Sequence, residues 1–255
     1  MATSFKNILI TGASSGLGEA LARSYAAPGI HLCLTGRNTD RLATITRVCE
    51  QQGAIVSAVT IDVKDRERLS DWILDIDQRT PLDLIIANAG VMHVSRPESP
   101  QGTPEQIAEI LTVNFSGVIS TVNPILDRMA QRGKGSVAII SSLSAYRGLP
   151  LFPAYAASKA AIKSYYEALR GVYHRKGVYI TVVCPSYIST AMTSNLRTDG
   201  FKQMDVMDAA AKIKQGLDKH KPLITFPFHH SLGLQLLRFL PERLADRILL
   251  LLYRI

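Results

Sequence analysis

The chain has 255 residues, 47% hydrophobic and 20% charged, long enough for one large α/β domain and too apolar for a disordered one. Its three cysteines, Cys33, Cys49 and Cys184, cannot all pair, which argues against a disulfide-stapled secreted scaffold and for reduced thiols in a cytoplasmic protein. A net charge of +8 and a pI near 9.5 favour an anionic surface as partner. No basic-aromatic stripe or nucleic-acid motif accompanies that charge, so nucleic acid is excluded as the expected partner.

Met1 to Lys6 are too few for the apolar segment of a signal peptide, and no run reaches the ~18 apolar residues that span a bilayer. Asn7–Thr11 is a short apolar strand. Gly12-Ala13-Ser14-Ser15-Gly16-Leu17-Gly18 follows, then a helix over Glu19–Ala27. A strand, a Gly-rich turn and a helix make a phosphate site, because the backbone can approach the ligand and the helix N-terminus offers free N–H groups. The spacing is neither Gly-x-Gly-x-x-Gly nor a P-loop. Further strands are expected at His31–Thr35, Ile55–Ile61, Leu82–Ala87, Ser136–Ser141, Val178–Cys184 and Leu223–Phe226. Helices are expected over Asp40–Gln52, Asp65–Arg79, Pro104–Arg132, Tyr155–Lys176 and Asp205–His220.

This alternation predicts an α/β fold, a single doubly wound parallel sheet with helices on both faces. Ligands of such sheets bind at the carboxyl ends of the strands. Gly12–Gly18, Asn88-Ala89-Gly90, Ser142 and Pro185-Ser186 all fall there. Residues 1–228 form the expected domain, and residues 229–255 an apolar helical extension of it.

Tyr155 and Lys159 lie one helical turn apart, with Ser142 thirteen residues upstream. A phenol has a pKa near ~10. A neighbouring ammonium favours the phenolate and lowers that value. The pair reads as a proton donor with its tuner, and Ser142 could hold a substrate carbonyl beside it. Strand alternation points Ser141 to the opposite face. No Cys/His cluster has metal-ligand spacing, so no metal site is expected, and His229-His230 reads as a turn.

Thr11-Gly12-x-x-x-Gly16-x-Gly18, Asn88-Ala89-Gly90, Asn114, Ser142 and Tyr155-x-x-x-Lys159 occur in the order and spacing of the short-chain dehydrogenase/reductase family. The chain resembles that family over roughly residues 5–227. The resemblance implies a Rossmann-type fold, a nicotinamide cofactor, and carbonyl reduction or alcohol oxidation. It makes Asn114, Ser142, Tyr155 and Lys159 the catalytic set, with Asn114 anchoring a water in a relay to Lys159, and Lys159 holding the nicotinamide ribose. It assigns the adenine contact to Asp62-Val63 and carboxamide contacts to Ile188 and Thr190, beside Pro185. Without it, Asp62 is an ordinary helix cap. Two positions depart from the family pattern, Ala87 before Asn88 and Ser186 after Pro185.

No acid stands at the end of the second strand to bind the ribose of NAD. Thr35-Gly36-Arg37-Asn38 is there instead. Arg37 can grip a 2′-phosphate with its planar fork, helped by the Ser14 hydroxyl, so NADP(H) is preferred over NAD(H). The substrate pocket is expected to be apolar, suiting a hydrophobic, lipid-like ketone or alcohol. Its candidates are a lid over Tyr187–Gln203 (Met192, Leu196, Phe201), the Val91–Gly102 wall with Met92, and Tyr146, Leu149, Leu151 and Phe152. Arg147 reads as a surface charge. The leucine-rich tail, with arginines around Ile248–Leu252, could lie on a membrane surface at residues 231–255, cover the pocket, or pack on another subunit. Pro241 can start its second helix. A homodimer is expected through the helices holding Asn114 and Tyr155. The alternative function is a catalytically idle NADP-binding sensor or scaffold.

Overall fold

The computed structural model describes residues 5–95, 98–194 and 203–253. Seven strands form one parallel sheet in the order β3-β2-β1-β4-β5-β6-β7. They are β1 (Asn7–Thr11), β2 (His31–Gly36), β3 (Ile55–Thr60), β4 (Leu84–Ala87), β5 (Gly135–Ile140), β6 (Val178–Pro185) and β7 (Leu223–Phe226). Helices α1 (Gly16–Tyr25), α2 (Thr39–Gln51), α3 (Arg66–Arg79), α4 (Pro104–Leu111), α5 (Gly117–Arg132), α6 (Pro153–His174) and α7 (Val206–Asp218) connect them. The tail adds α8 (Phe228–Leu236) and α9 (Glu242–Tyr253), joined by a 3₁₀ turn over Leu237–Phe239.

The central strands are apolar because both their faces are covered. One core joins Ile8, Ile10 and Leu34 to Leu21, Leu42, Ile45, Ile213 and Leu217 from α1, α2 and α7. The other joins Leu9, Ile85 and Val137 to Leu69, Ile73, Val122, Ile125, Ile162 and Tyr166 from α3, α5 and α6. The strand order reverses between β1 and β4, which opens a crevice at their carboxyl ends. All three cysteines are buried and free, and burial pushes the Cys49 and Cys184 thiols up to about 11, which keeps them protonated and inert.

Several boundaries move for local reasons. Helix α1 stops at Tyr25 because Pro28 disfavours a helical Ala27. Helix α2 is capped by Asn38, whose side chain accepts from Arg41 N, and α3 by Asp65. Asp62 therefore caps no helix; it accepts from Lys64 N in the preceding turn. Pro153 opens α6, placing Tyr155 in the first turn. The long helix expected over Pro104–Arg132 is broken by a π-turn at Thr112–Ser116, around Asn114. His229 and His230 sit inside α8 and do not form a turn. Helix α9 starts at Glu242, one residue after Pro241. Among the described residues, no helix is long and apolar enough to cross a membrane, and no group of His, Cys, Asp or Glu could hold a metal ion.

Candidate active site

The crevice at the β1/β4 reversal is a cleft of about 500 Å³. Its floor is the glycine turn. Thr11 Oγ1 accepts from the backbone N–H groups of Asn88 and Ala89 (both 3.2 Å), and Asn88 Nδ2 donates to Thr11 O (3.0 Å) and Gly12 O (3.3 Å). These bonds lock the turn after β1 to the turn after β4. Gly12 has φ +68°, and a Cβ there would meet Ala89 Cα at 2.9 Å. The N-terminus of α1 faces the cleft, and the Ser15 side chain caps none of its N–H groups. Free N–H groups on a glycine cradle fit a pyrophosphate.

Gly12, Ser14, Ser15, Gly16, Leu17, Arg37, Asp62, Val63, Asn88, Ala89, Gly90, Tyr155, Lys159, Pro185, Ile188 and Thr190 all line this cleft. Gly18 does not. It packs on the turn, where a Cβ would lie 2.2 Å from Gly12 O, so its role is to let α1 sit close to the first loop. Gly18→Ala is expected to cost about 2–3 kcal/mol and lower Tm by roughly 5–10 °C, with weakened dinucleotide binding. Gly148, with nothing within 4 Å, is the control whose alanine variant should leave both unchanged in a thermal scan and a fluorescence titration.

At the end of the cleft beyond β2 stand Arg37 and Arg41. Arg41, in the first turn of α2, joins Arg37 at this end without having been expected from the sequence. Arg37 remains 56% exposed, with a long 4.0 Å contact to Glu109, whose carboxylate also bonds His93 Nε2 at 2.8 Å. The Asn38 side chain is spent on capping α2.

At the other end lie Ser142, Tyr155 and Lys159. Ser141 turns away, its Oγ donating to Lys159 O (2.9 Å). Ser142 leaves β5 extended, accepts from Ser144 N (3.2 Å), and lines the cleft beside Tyr155. Lys159 is buried, its Nζ donating to Ile140 O (2.8 Å) and lying 5.6 Å from the Tyr155 ring centroid. Burial decides both protonation states here. It pushes the Tyr155 phenol up to about 12, the nearby Ser142 hydroxyl opposing, and lowers the Lys159 ammonium to about 8. The lowered phenol expected from a lysine one turn away is thus not the net result.

Asn114 does not line the cleft. Its Oδ1 accepts from Val91 N (2.8 Å), and its Nδ2 donates to Val91 O (2.9 Å) and Ser158 Oγ (3.1 Å). The side chain holds the loop after β4 against α6.

A second cavity of about 330 Å³ adjoins the first and shares Ser142, Tyr155, Ser186, Met192 and Thr193 with it. Met92, Leu149, Phe152, Tyr187 and Met192 form its walls, as expected, whereas Tyr146 and Leu151 do not. Leu196, Phe201 and the rest of the 195–202 segment lie outside the described residues. The far wall is the tail: Leu234, Leu237, Ile248, Leu249, Leu252 and Tyr253. Three polar ties hold it there. Arg147 pairs with Glu242 and Asp246 (2.8 Å to the latter), Tyr187 Oη meets Tyr253 Oη (3.0 Å), and Ser186 Oγ meets His230 Nδ1 (2.9 Å). Arg147 is therefore a clamp on the tail, not a surface charge, and Ser186, where the family pattern has glycine, supplies one of the ties.

The family profile described as short chain dehydrogenase matches residues 6–200. An uncharacterized oxidoreductase of Myxococcus xanthus is 30% identical over 247 residues, covering 95% of this chain and 96% of that one. A short-chain dehydrogenase from Sphingobium yanoikuyae, solved in complex with NADPH, superposes with a TM-score of 0.81 at 23% identity over 94% of this chain and 95% of its own. An alcohol dehydrogenase from Thermococcus sibiricus, solved with 5-hydroxy-NADP, superposes with a TM-score of 0.76 at 26% identity over 87% of this chain and 94% of its own. On the profile match, the full-length relative and the seven-stranded fold, the chain belongs to the short-chain dehydrogenase/reductase family of oxidoreductases.

Proposed function

We propose that this chain is an NADP(H)-dependent oxidoreductase that interconverts a carbonyl and an alcohol on a hydrophobic, lipid-like substrate, with Tyr155 as the acid/base. The observation that carries this reading is that Ser142 and Tyr155 line both cavities, so they stand where a dinucleotide cleft opens into an apolar pocket. NADPH, when bound, supplies the hydride to the carbonyl carbon. Tyr155 donates its proton to the oxygen, on which negative charge develops, and the Ser142 hydroxyl donates a hydrogen bond to the same atom. Lys159 keeps a positive charge below that oxygen and binds the ribose hydroxyls. Asn114 is a positioning residue, fixing Val91 and, through Ser158, the first turn of α6.

Arg37, Arg41 and Ser14 support NADP over NAD, and the alcohol dehydrogenase of Thermococcus sibiricus, with its 5-hydroxy-NADP, supports it further. Residues 1–228 are read as the dinucleotide-binding and catalytic part, and 229–255 as an extension that completes the substrate pocket. Dimerisation is common in the family, and a homodimer through α5 and α6 is the expected assembly. The buried free thiols fit a reducing, cytoplasmic compartment. The reading is tested by following NADPH absorbance over a panel graded from sugar acids to long-chain ketones. Turnover should concentrate at the apolar end; turnover confined to the polar end would reject the lipid-like substrate class.

The proton inventory has a pH consequence. Tyr155, near 12, stays protonated throughout the working range, whereas Lys159 loses its charge as pH rises through about 8. The kcat/KM for NADPH in the reductive direction, which reports the free enzyme, is expected to be flat below that value and to fall above it. The profile is measured with a stable ketone. A flat profile to well above pH 9 would detach the rate from the Lys159 charge, and Lys159→Arg should move the falling limb upward if any activity remains.

A further inference from the structure

The two helices that wall the apolar cavity carry a second apolar face, turned outward. On α8, Phe228, Leu232 and Leu236 are four residues apart and share one side. All three are exposed, as are Phe239 (84%) and, on α9, Leu244, Leu250 and Leu251 (78%). Scattered apolar residues on a surface are ordinary, but this many on one 24-residue stretch mark a contact site.

The charges of the tail are sorted as well. Its acids on α9, Glu242 and Asp246, are both taken up by Arg147 from the body of the protein. Arg238, Arg243 and Arg247 are exposed and form no ion pair among the described residues. On α9, Arg243, Leu244, Arg247, Leu250 and Leu251 occupy the side opposite the buried Ala245 and Leu249. The outward face is therefore apolar and cationic.

We propose that α8 and α9 dock this protein on an anionic lipid bilayer. Charge complementarity selects that occupant. A second copy seated face to face would bring the same unpaired arginines together in a molecule already at net charge +8, whereas anionic headgroups pair with them while the leucines and phenylalanines enter the acyl boundary. The geometry adds a consequence for substrate supply. His229, Gly233, Met192 and Leu252 line the apolar cavity and are also exposed, so its mouth opens among the docking helices. A substrate dissolved in the hydrocarbon reaches Tyr155 without crossing water. That consequence rests on the carbonyl/alcohol reading of the cavity; the docking does not.

The test is co-sedimentation of the full chain with phosphatidylcholine vesicles, with and without phosphatidylglycerol, and without substrate. The chain should pellet with the anionic vesicles, stay in solution with the neutral ones, and be released at about 0.5 M salt, where the Debye length is short. Arg243→Glu with Arg247→Glu should weaken binding by about tenfold or more. Phe239→Ser with Leu251→Ser should do the same, and unchanged NADPH binding shows that both variants are folded. Two results would overturn the proposal: no partition into anionic vesicles, or a dimer in solution that Phe239→Ser with Leu251→Ser abolishes while vesicle binding is absent. Because binding is read without turnover, its failure leaves the oxidoreductase reading standing, and the reverse holds too.

Discussion

Tyr155→Phe is expected to lower kcat/KM for ketone reduction by about 10²–10⁴-fold, the usual worth of a positioned proton donor, while NADPH affinity stays within about threefold of wild type. The substitution removes one oxygen and keeps the ring, which lines both cavities without being fully buried. Lys159 keeps its bond to Ile140 O at 2.8 Å, so the floor of the cleft beneath Tyr155 is undisturbed. Ser142 still accepts from Ser144 N. What disappears is the proton for the developing oxyanion, a loss specific to the transition state, so it appears in kcat and not in binding. Stopped-time assays of NADPH consumption together with a fluorescence titration of NADPH separate the two. Retention of turnover within tenfold would remove Tyr155 from the chemistry.

The second large effect concerns cofactor choice. Arg37→Ala combined with Arg41→Ala is expected to reduce kcat/KM for NADPH by about 100-fold while changing that for NADH by less than about threefold. Charge-assisted hydrogen bonds are worth roughly 1.5–3 kcal/mol each; Arg37 is more than half exposed, so the lower end applies to it, and about 3 kcal/mol for the pair corresponds to that factor. Arg37 precedes the Asn38 cap and Arg41 lies in the first turn of α2, and both line the same end of the cleft. No carboxylate competes strongly for Arg37, since Glu109 lies 4.0 Å away. Measuring both cofactors on one preparation checks this. An equal loss with NADH would mean that the arginines hold the adenosine itself and not a 2′-phosphate.

Most of the fold could be read from the residues because its determinants are local. The β-branched runs at Asn7–Thr11 and Val178–Cys184 mark strands buried on both faces, and the glycine turn after the first marks the phosphate end. What could not be read depends on contacts between distant segments. The π-turn at Thr112–Ser116 accompanies the bonds of Asn114 to Val91 and Ser158, 23 and 44 residues away. The protonation of Tyr155 and Lys159 depends on how completely the fold buries them, which four-residue spacing does not report. Gly18 belongs to the same glycine motif as Gly12, yet only the packing of α1 on Gly12 O shows that it stands behind the cleft wall. The tail was ambiguous because it is apolar on two sides. The clamp by Arg147 and the Tyr187–Tyr253 contact decide which side faces inward.

Whether the junction of the two cavities reduces apolar carbonyls with NADPH is decided by one comparison. Wild type and Tyr155→Phe are incubated with the same medium-chain and aromatic ketones, each with NADPH and with NADH, and the nicotinamide absorbance is followed. The wild type is expected to turn over, at least about tenfold more efficiently with NADPH than with NADH, and the variant to be near silent. Tight NADPH binding by both proteins, with no turnover of any ketone or alcohol in either direction, would contradict it and leave a dinucleotide-binding sensor or scaffold.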